Sequence, residues 1–247
     1  MTQTSGLATT RIVAHRGGAG MAPENTMRAF TASRRLGLAT LETDLRVTSD
    51  GVVVAFHDAD GRRAAGVRAR VADSSWAQVR QWRVGGEPVP RLEEVLEGTG
   101  DARLLMDLKD PRAIGPMARV LRGARATERV CLAGASDRWL ADVRAVLGPH
   151  LTTAMGWESL TRLVLAARCG RRPVGVVRAP AVHVPLRLGG LPVFAERLVA
   201  LATELGARVL VWTVDDPAVA SGLLARGVDA VITDRPDLLA GGCALSA

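Results

Sequence analysis

The stretch that decides the fold runs from Leu41 to Asp58, LETDLRVTSDGVVVAFHD. Its two apolar runs are separated by little more than Val47-Thr48-Ser49-Asp50-Gly51. A parallel crossover takes a dozen or more residues, so the two runs are not neighbouring parallel strands. Asp50-Gly51 is a hairpin dipeptide, and 52–57 reads as a strand folding back antiparallel. That return brings His57 toward the level of Glu42 and Asp44.

Outward from this hairpin, short apolar runs alternate with helical patterns, as in chains built of βα units around a parallel sheet. Candidate strands fall at 11–15, 40–45, 103–108, 130–134, 151–155, 175–184, 208–214 and 228–233. Helical patterns lie at 26–37, 113–122, 136–146, 158–169, 192–205, 216–225 and 236–240. Asn25 or Thr26 can cap the first helix and Ser136 the third, and Pro217 falls just inside the start of the last crossover helix. Gly37, Gly206 and Gly227 sit where a left-handed cap would end a helix. With the returning run set aside, eight strands remain. Eight βα units predict an α/β fold, a (β/α)8 barrel of the TIM type. The segment 59–102, with amphipathic stretches around 73–82 and 91–97, reads as a small helical cap inserted after the second-strand hairpin. No composition shift demands a second domain, so 1–247 reads as one.

Composition excludes several classes. The 247 residues are 48% hydrophobic and 23% charged, an ordinary globular balance. No apolar run reaches the ~18 residues of a membrane helix. The opening MTQTSGLATT has neither a basic nor an apolar region, so no signal peptide is expected and the cytoplasm is the expected compartment. Cys131, Cys169 and Cys243 are too few and too far apart for a disulfide framework or a zinc cluster, and Cys243 is one residue too far from the end for prenylation. The net charge of +7 could attract nucleic acid or an anionic membrane surface. The basic residues are scattered, however, and the chain holds only eight aromatics, so no nucleic-acid partner is expected. They comprise 31 Arg and a single Lys, Lys109, which marks a position where guanidinium is not expected to substitute.

Barrel active sites lie at the C-terminal ends of the strands. His15 and Arg16 end the first strand there. Glu42 and Asp44, two apart, point to one face of the second strand, and Asp107 and Lys109 repeat that spacing on the third. His57-Asp58 ends the hairpin. An isolated E-x-D pair is most often a solvated ion pair, but one embedded in an apolar strand beside a His-Asp hairpin favours metal binding. Three converging carboxylates raise one another's pKa unless a cation joins them, and oxygen ligands suit Mg2+ or Ca2+. Two imidazoles facing across a substrate suit acid–base catalysis. His150 reads as surface, and His183 as core or as support for the site.

The order of motifs carries a resemblance. His15-Arg16-Gly17 is followed by Pro23-Glu24-Asn25-Thr26, then Glu42-x-Asp44, Thr48-x-Asp50-Gly51 and His57-Asp58. Further on come Pro90 to Leu96 (PRLEEVL), Trp212 to Asp216 (WTVDD) and Gly227 to Pro236 (GVDAVITDRP). Over nearly its whole length the chain resembles the glycerophosphodiester phosphodiesterase family. The resemblance implies a (β/α)8 barrel that hydrolyses glycerophosphodiesters to glycerol 3-phosphate and an alcohol. It implies Ca2+ or Mg2+ bound by Glu42, Asp44 and Asp107, with His15 and His57 as general base and acid. Arg16 and Lys109 would contact the phosphate.

One residue departs from the family pattern. Asp107 stands where the family usually has Glu, a reach shorter by one bond of ~1.5 Å. Trp212 either packs the rim or contacts the glycerol carbons. Thr233 and Asp234 either hydrogen-bond in the mouth or, for Asp234, cap the closing helix. A lysophospholipase D or sphingomyelinase D-like activity on the same barrel would need an apolar groove, and no interfacial helix with large apolar residues is evident. A non-catalytic binding protein would need neither the histidines nor the carboxylates.

Overall fold

A computed structural model describes residues 11–134, 136–148, 150–188 and 190–243. The expectation drawn from residues 1–10 lies outside the described residues, as does the side chain of Cys243. Eight parallel strands form the sheet: β1 Ile12–Ala14, β2 Thr40–Val47, β3 Arg103–Leu108, β4 Val130–Gly134, β5 Thr152–Thr153, β6 Ala181–Pro185, β7 Arg208–Trp212 and β8 Ala230–Thr233. Their order around the sheet is β5-β4-β3-β2-β1-β8-β7-β6. The two ends meet through a parallel bridge from Ala154 to Ala181, which closes the barrel. The run after Asp50-Gly51 does fold back: Val53–Ala55 pairs antiparallel with β2, Leu45 opposite Ala55.

Eight helices pack outside: α1 Met27–Arg35, α2 Leu92–Gly98, α3 Ile114–Gly123, α4 Asp137–Leu147, α5 Trp157–Arg168, α6 Glu196–Glu204, α7 Pro217–Ala225 and α8 Pro236–Cys243. Strand alternation separates two layers of core. Leu41, Leu45, Leu104, Leu108 and Leu132 face the helices, whereas Val13, Leu105, Cys131, Leu210 and Ile232 fill the barrel interior. Thr26 caps α1, its hydroxyl accepting from the Ala29 amide, and Ser136 caps α4 in the same way. Asp216 caps α7, and Pro217 occupies its first turn.

Three boundaries differ from expectation. The run 175–184 yields a strand only from Ala181, because Arg171 to Pro180 follows the outside of α5 before entering the barrel. β5 is reduced to two residues plus the bridge at Ala154. The stretch 91–97 forms α2, whose Leu92, Val95 and Leu96 belong to the main core, so it serves as the β2–β3 crossover. The insertion before it packs Val71, Val79, Trp82, Val84 and Val89 against Val54 and Phe56 of the returning hairpin, a small core of its own. Besides short helices at Arg62–Ala65 and Trp76–Val79, it contains an antiparallel pair, Arg83–Val84 with Glu87–Pro88.

Candidate active site

The residues singled out in the sequence meet in one pocket at the carboxyl ends of the strands. His15, Arg16, Glu42, Asp44, His57, Asp107, Lys109 and Trp212 all line it. Strand register brings the carboxylates together: Asp44 lies directly opposite Asp107 on the neighbouring strand, and Glu42 opposite Leu105.

The HRG turn aims its backbone inward. Arg16 adopts left-handed φ/ψ (φ 49°), and its amide donates to Glu42 Oε2 at 2.7 Å. Gly17 follows at φ 81°, where an added Cβ would come within 2.8 Å of the Phe30 ring. Only glycine fits that bend against α1. Asn25, expected as a possible cap, instead turns into the site. Its side chain donates to Asp44 Oδ2 (2.9 Å) and accepts from the Thr43 hydroxyl and the Asp44 amide.

Each histidine is anchored by a carboxylate. His15 Nδ1 lies 2.7 Å from Asp234 Oδ1, and His57 Nδ1 lies 2.7 Å from Asp58 Oδ1. An Nδ1–H donated to a carboxylate leaves each Nε2 for the substrate side. Burial alone would lower the His15 pKa, but the Asp234 hydrogen bond and the Glu42 charge outweigh it and raise it above the usual 6.5. His15 Nε2 stands 3.9 Å from Glu42 Oε2. Asp234 therefore does act in the mouth, one of the two roles its position suggested.

Lys109 sits between two carboxylates, 2.6 Å from Asp107 Oδ2 and 3.1 Å from Asp44 Oδ1. Burial opposes its charge, yet Asp107 and Asp44 raise its pKa. Arg16 reaches Glu24 Oε1 at 3.1 Å, with its Nε 3.4 Å from Asp44. That Nε is buried without a hydrogen-bond partner, a donor left for an anion. Asp44 is held below the usual carboxylate range despite burial, chiefly by Lys109, His57 and Arg16.

Glu42 behaves differently. Burial, then the charge of Asp44, pushes its pKa up to about 7. A buried carboxyl that barely holds its charge marks a place short of positive charge, and hard oxygen donors fit a hard divalent cation. Among the described residues no three acidic, His or Cys side chains are gathered as a ready ion cage. Their oxygens turn to Arg16, Asn25 and Lys109 instead.

Two further residues, Arg63 and Trp157, belong here and are not legible as such, and His183 takes a place beside the site, as its position allowed. Arg63, on the insertion's first short helix, donates to both oxygens of Glu24 (2.9 and 2.6 Å) and to Asp58 Oδ2 (2.7 Å). Trp157 meets Trp212 edge to face at 6.4 Å, and with Met155 and Leu160 it makes the opposite wall apolar. His183 lines the floor, with a buried Nε2 lacking any partner. The sequence signal for Arg63 was its place six residues after His57; Trp157 had none.

Side-chain chemistry gathered at the C-terminal mouth of a closed ring of parallel strands defines the chain as a (β/α)8-barrel enzyme. The family model described as glycerophosphoryl diester phosphodiesterase matches residues 15–238, and the chain belongs to that family. A Mycobacterium tuberculosis protein named probable glycerophosphodiester phosphodiesterase 2 is 35% identical over 92% of this chain and 88% of its own length. A glycerophosphodiester phosphodiesterase of Caldanaerobacter subterraneus is 27% identical, covering 93% and 96%. The barrel is also similar to that of an Oleispira antarctica phosphodiesterase solved in complex with sn-glycerol-3-phosphate. That likeness has a TM-score of 0.79 at 21% identity, covering 95% of this chain and 97% of the other. The enzyme is a glycerophosphodiester phosphodiesterase.

Proposed function

We propose that the enzyme releases glycerol 3-phosphate from glycerophosphodiesters by acid–base catalysis with His15 and His57 and with a divalent cation, Ca2+ or Mg2+. The observation that carries this reading is the pair of anchored imidazoles, each tied through Nδ1 at 2.7 Å to its own carboxylate. The Asp234 hydrogen bond makes His15 a stronger base, the direction a general base needs.

In this reading His15 takes the proton of the substrate's own 2-hydroxyl as that oxygen attacks phosphorus. The bond to the leaving alcohol breaks, and His57 gives that oxygen its proton. A five-membered cyclic phosphate remains. Water then opens it with the roles reversed: His57 removes the proton from water and His15 returns one to the 2-oxygen. Intramolecular attack of this kind gains from effective molarities on the order of 10⁵–10⁸ M. The Arg16 and Lys109 cations stabilise the charge gathering on the phosphorane oxygens, and Trp212 packs against the glycerol carbons.

Glu42, Asp44 and Asp107 would hold the cation, which when bound neutralises phosphate oxygens and lowers the pKa of the attacking hydroxyl. Asp107, shorter than the usual Glu, remains tied to Lys109.

His15→Ala and His57→Ala test this assignment. Each is expected to lose turnover by at least ~10² while melting within a few degrees of the parent. Folded variants that retain full activity would end the acid–base assignment.

A further inference from the structure

The net charge of +7 is not spread evenly. From Ser159 to Ala195 the chain has six arginines (162, 168, 171, 172, 178 and 187) and no Asp or Glu, whereas the rest carries 26 basic and 25 acidic residues. All six arginines are exposed, and among the described residues none forms an ion pair.

The fold assembles this segment into one surface. The stretch 169–180 runs back along α5, with Arg162 donating to the Gly175 carbonyl and the Val177 amide donating to the Ser159 hydroxyl. The short strands Arg187–Leu188 and Leu191–Pro192, which rise from the end of β6, are tied to α5 through Arg168 and the Pro192 carbonyl. Aliphatic side chains stand exposed among the arginines: Val174 at 84%, Leu165 and Leu188 at 56%, and Val177 at 39%. At its upper end the surface passes into the pocket wall through Trp157, the first residue of α5.

From this we infer that the α5 face docks on an anionic phospholipid surface, with the mouth opening beside it. Guanidinium groups pair with lipid phosphates, and the aliphatic side chains enter the headgroup–acyl boundary. A nucleic acid would satisfy the arginines but leave the exposed aliphatic groups without a partner, and the face offers no row of aromatics for bases to stack on. The contact is peripheral, because no helix among the described residues is long and apolar enough to cross a membrane. It does not depend on the catalytic assignment, since none of the residues that make it holds the reacting groups.

Co-sedimentation of the full chain with vesicles tests it directly. Binding is expected to vesicles of equal phosphatidylglycerol and phosphatidylcholine at 0.1 M salt, to weaken steeply at 0.5 M, and to be absent with phosphatidylcholine alone. The triple variant R171E/R172E/R178E should partition about a hundredfold more weakly. A control with the same charge change on other faces, R68E/R80E/R119E, should lose only a few-fold. V174D/L188D should also weaken binding, and unchanged melting temperatures would show that all three variants fold. The proposal is overturned if wild type ignores the anionic vesicles at low salt, or if both triple variants lose binding equally. It is also overturned if duplex DNA binds more tightly than the vesicles and V174D/L188D leaves vesicle binding unchanged.

Discussion

His15 and Asp234 are 219 residues apart in the chain, and their side chains meet at 2.7 Å. Barrel closure makes the contact, because β1 pairs with β8 in parallel register, Ala14 beside Thr233. His15 and Asp234, which directly follow these strands, are thereby neighbours at the mouth. A second dyad, His57 with Asp58, stands across the pocket and is local in sequence.

Asp234→Asn should keep the fold but let His15 lose its fixed tautomer and its raised basicity. We expect kcat to fall by about 10²–10⁴ with little change in KM. The acid limb of the kcat/KM profile should move to lower pH, because that limb reports the base of the free enzyme. An unmoved limb with unchanged kcat would show that Asp234 only caps α8.

Arg63 links the insertion to the catalytic mouth through Glu24 and Asp58, and so acts as a positioning residue for His57. Arg63→Ala should lower kcat several-fold to tenfold with little change in KM, a loss that Arg63→Lys should restore in part. Its effect on stability should stay within about 1 kcal/mol, because a side chain 53% exposed forms strongly screened ion pairs. A large fall in melting temperature with unchanged kcat would make the contact purely structural.

His183 provides a test by pH. Burial lowers its pKa to about 4, below the ordinary 6.5, although the Asp107 charge opposes the shift. The unfolded chain therefore takes up the proton first as pH falls. The stability associated with neutral His183 is complete above about pH 6.5 and is lost toward pH 4. Between pH 7 and pH 5 the loss is about 2 kcal/mol. Glu42 and His15, whose pKa values are raised, gain stability over the same range in both proteins. Urea unfolding should therefore show His183→Leu losing about 2 kcal/mol less than the parent between the two pH values. Parallel pH dependence in both proteins would contradict the assignment.

Much of this site was legible because strand alternation and turn chemistry are local. Glu42 and Asp44 had to share a face, Asp107 and Lys109 likewise, and Asp50-Gly51 required the return that carries His57. Groups whose partners come from distant strands were less legible. In the sequence Asp234 reads as much like a helix cap as a site residue, and Asn25 reads as a cap although its side chain donates to Asp44. Trp157 opens α5 at a position defined only by barrel closure. The 175–180 run reads as strand because its Val-Val sequence fits the outer side of α5 as well as a sheet.

One assay tests metal-assisted release of glycerol 3-phosphate. Glycerophosphocholine and glycerophosphoethanolamine would each be incubated with enzyme in EDTA, then with Ca2+ or Mg2+ restored, alongside Glu42→Gln. Release should stop in EDTA, return with at least one of the two ions, and stay low in the variant. Full release in EDTA, or none from folded enzyme with either ion, would contradict it.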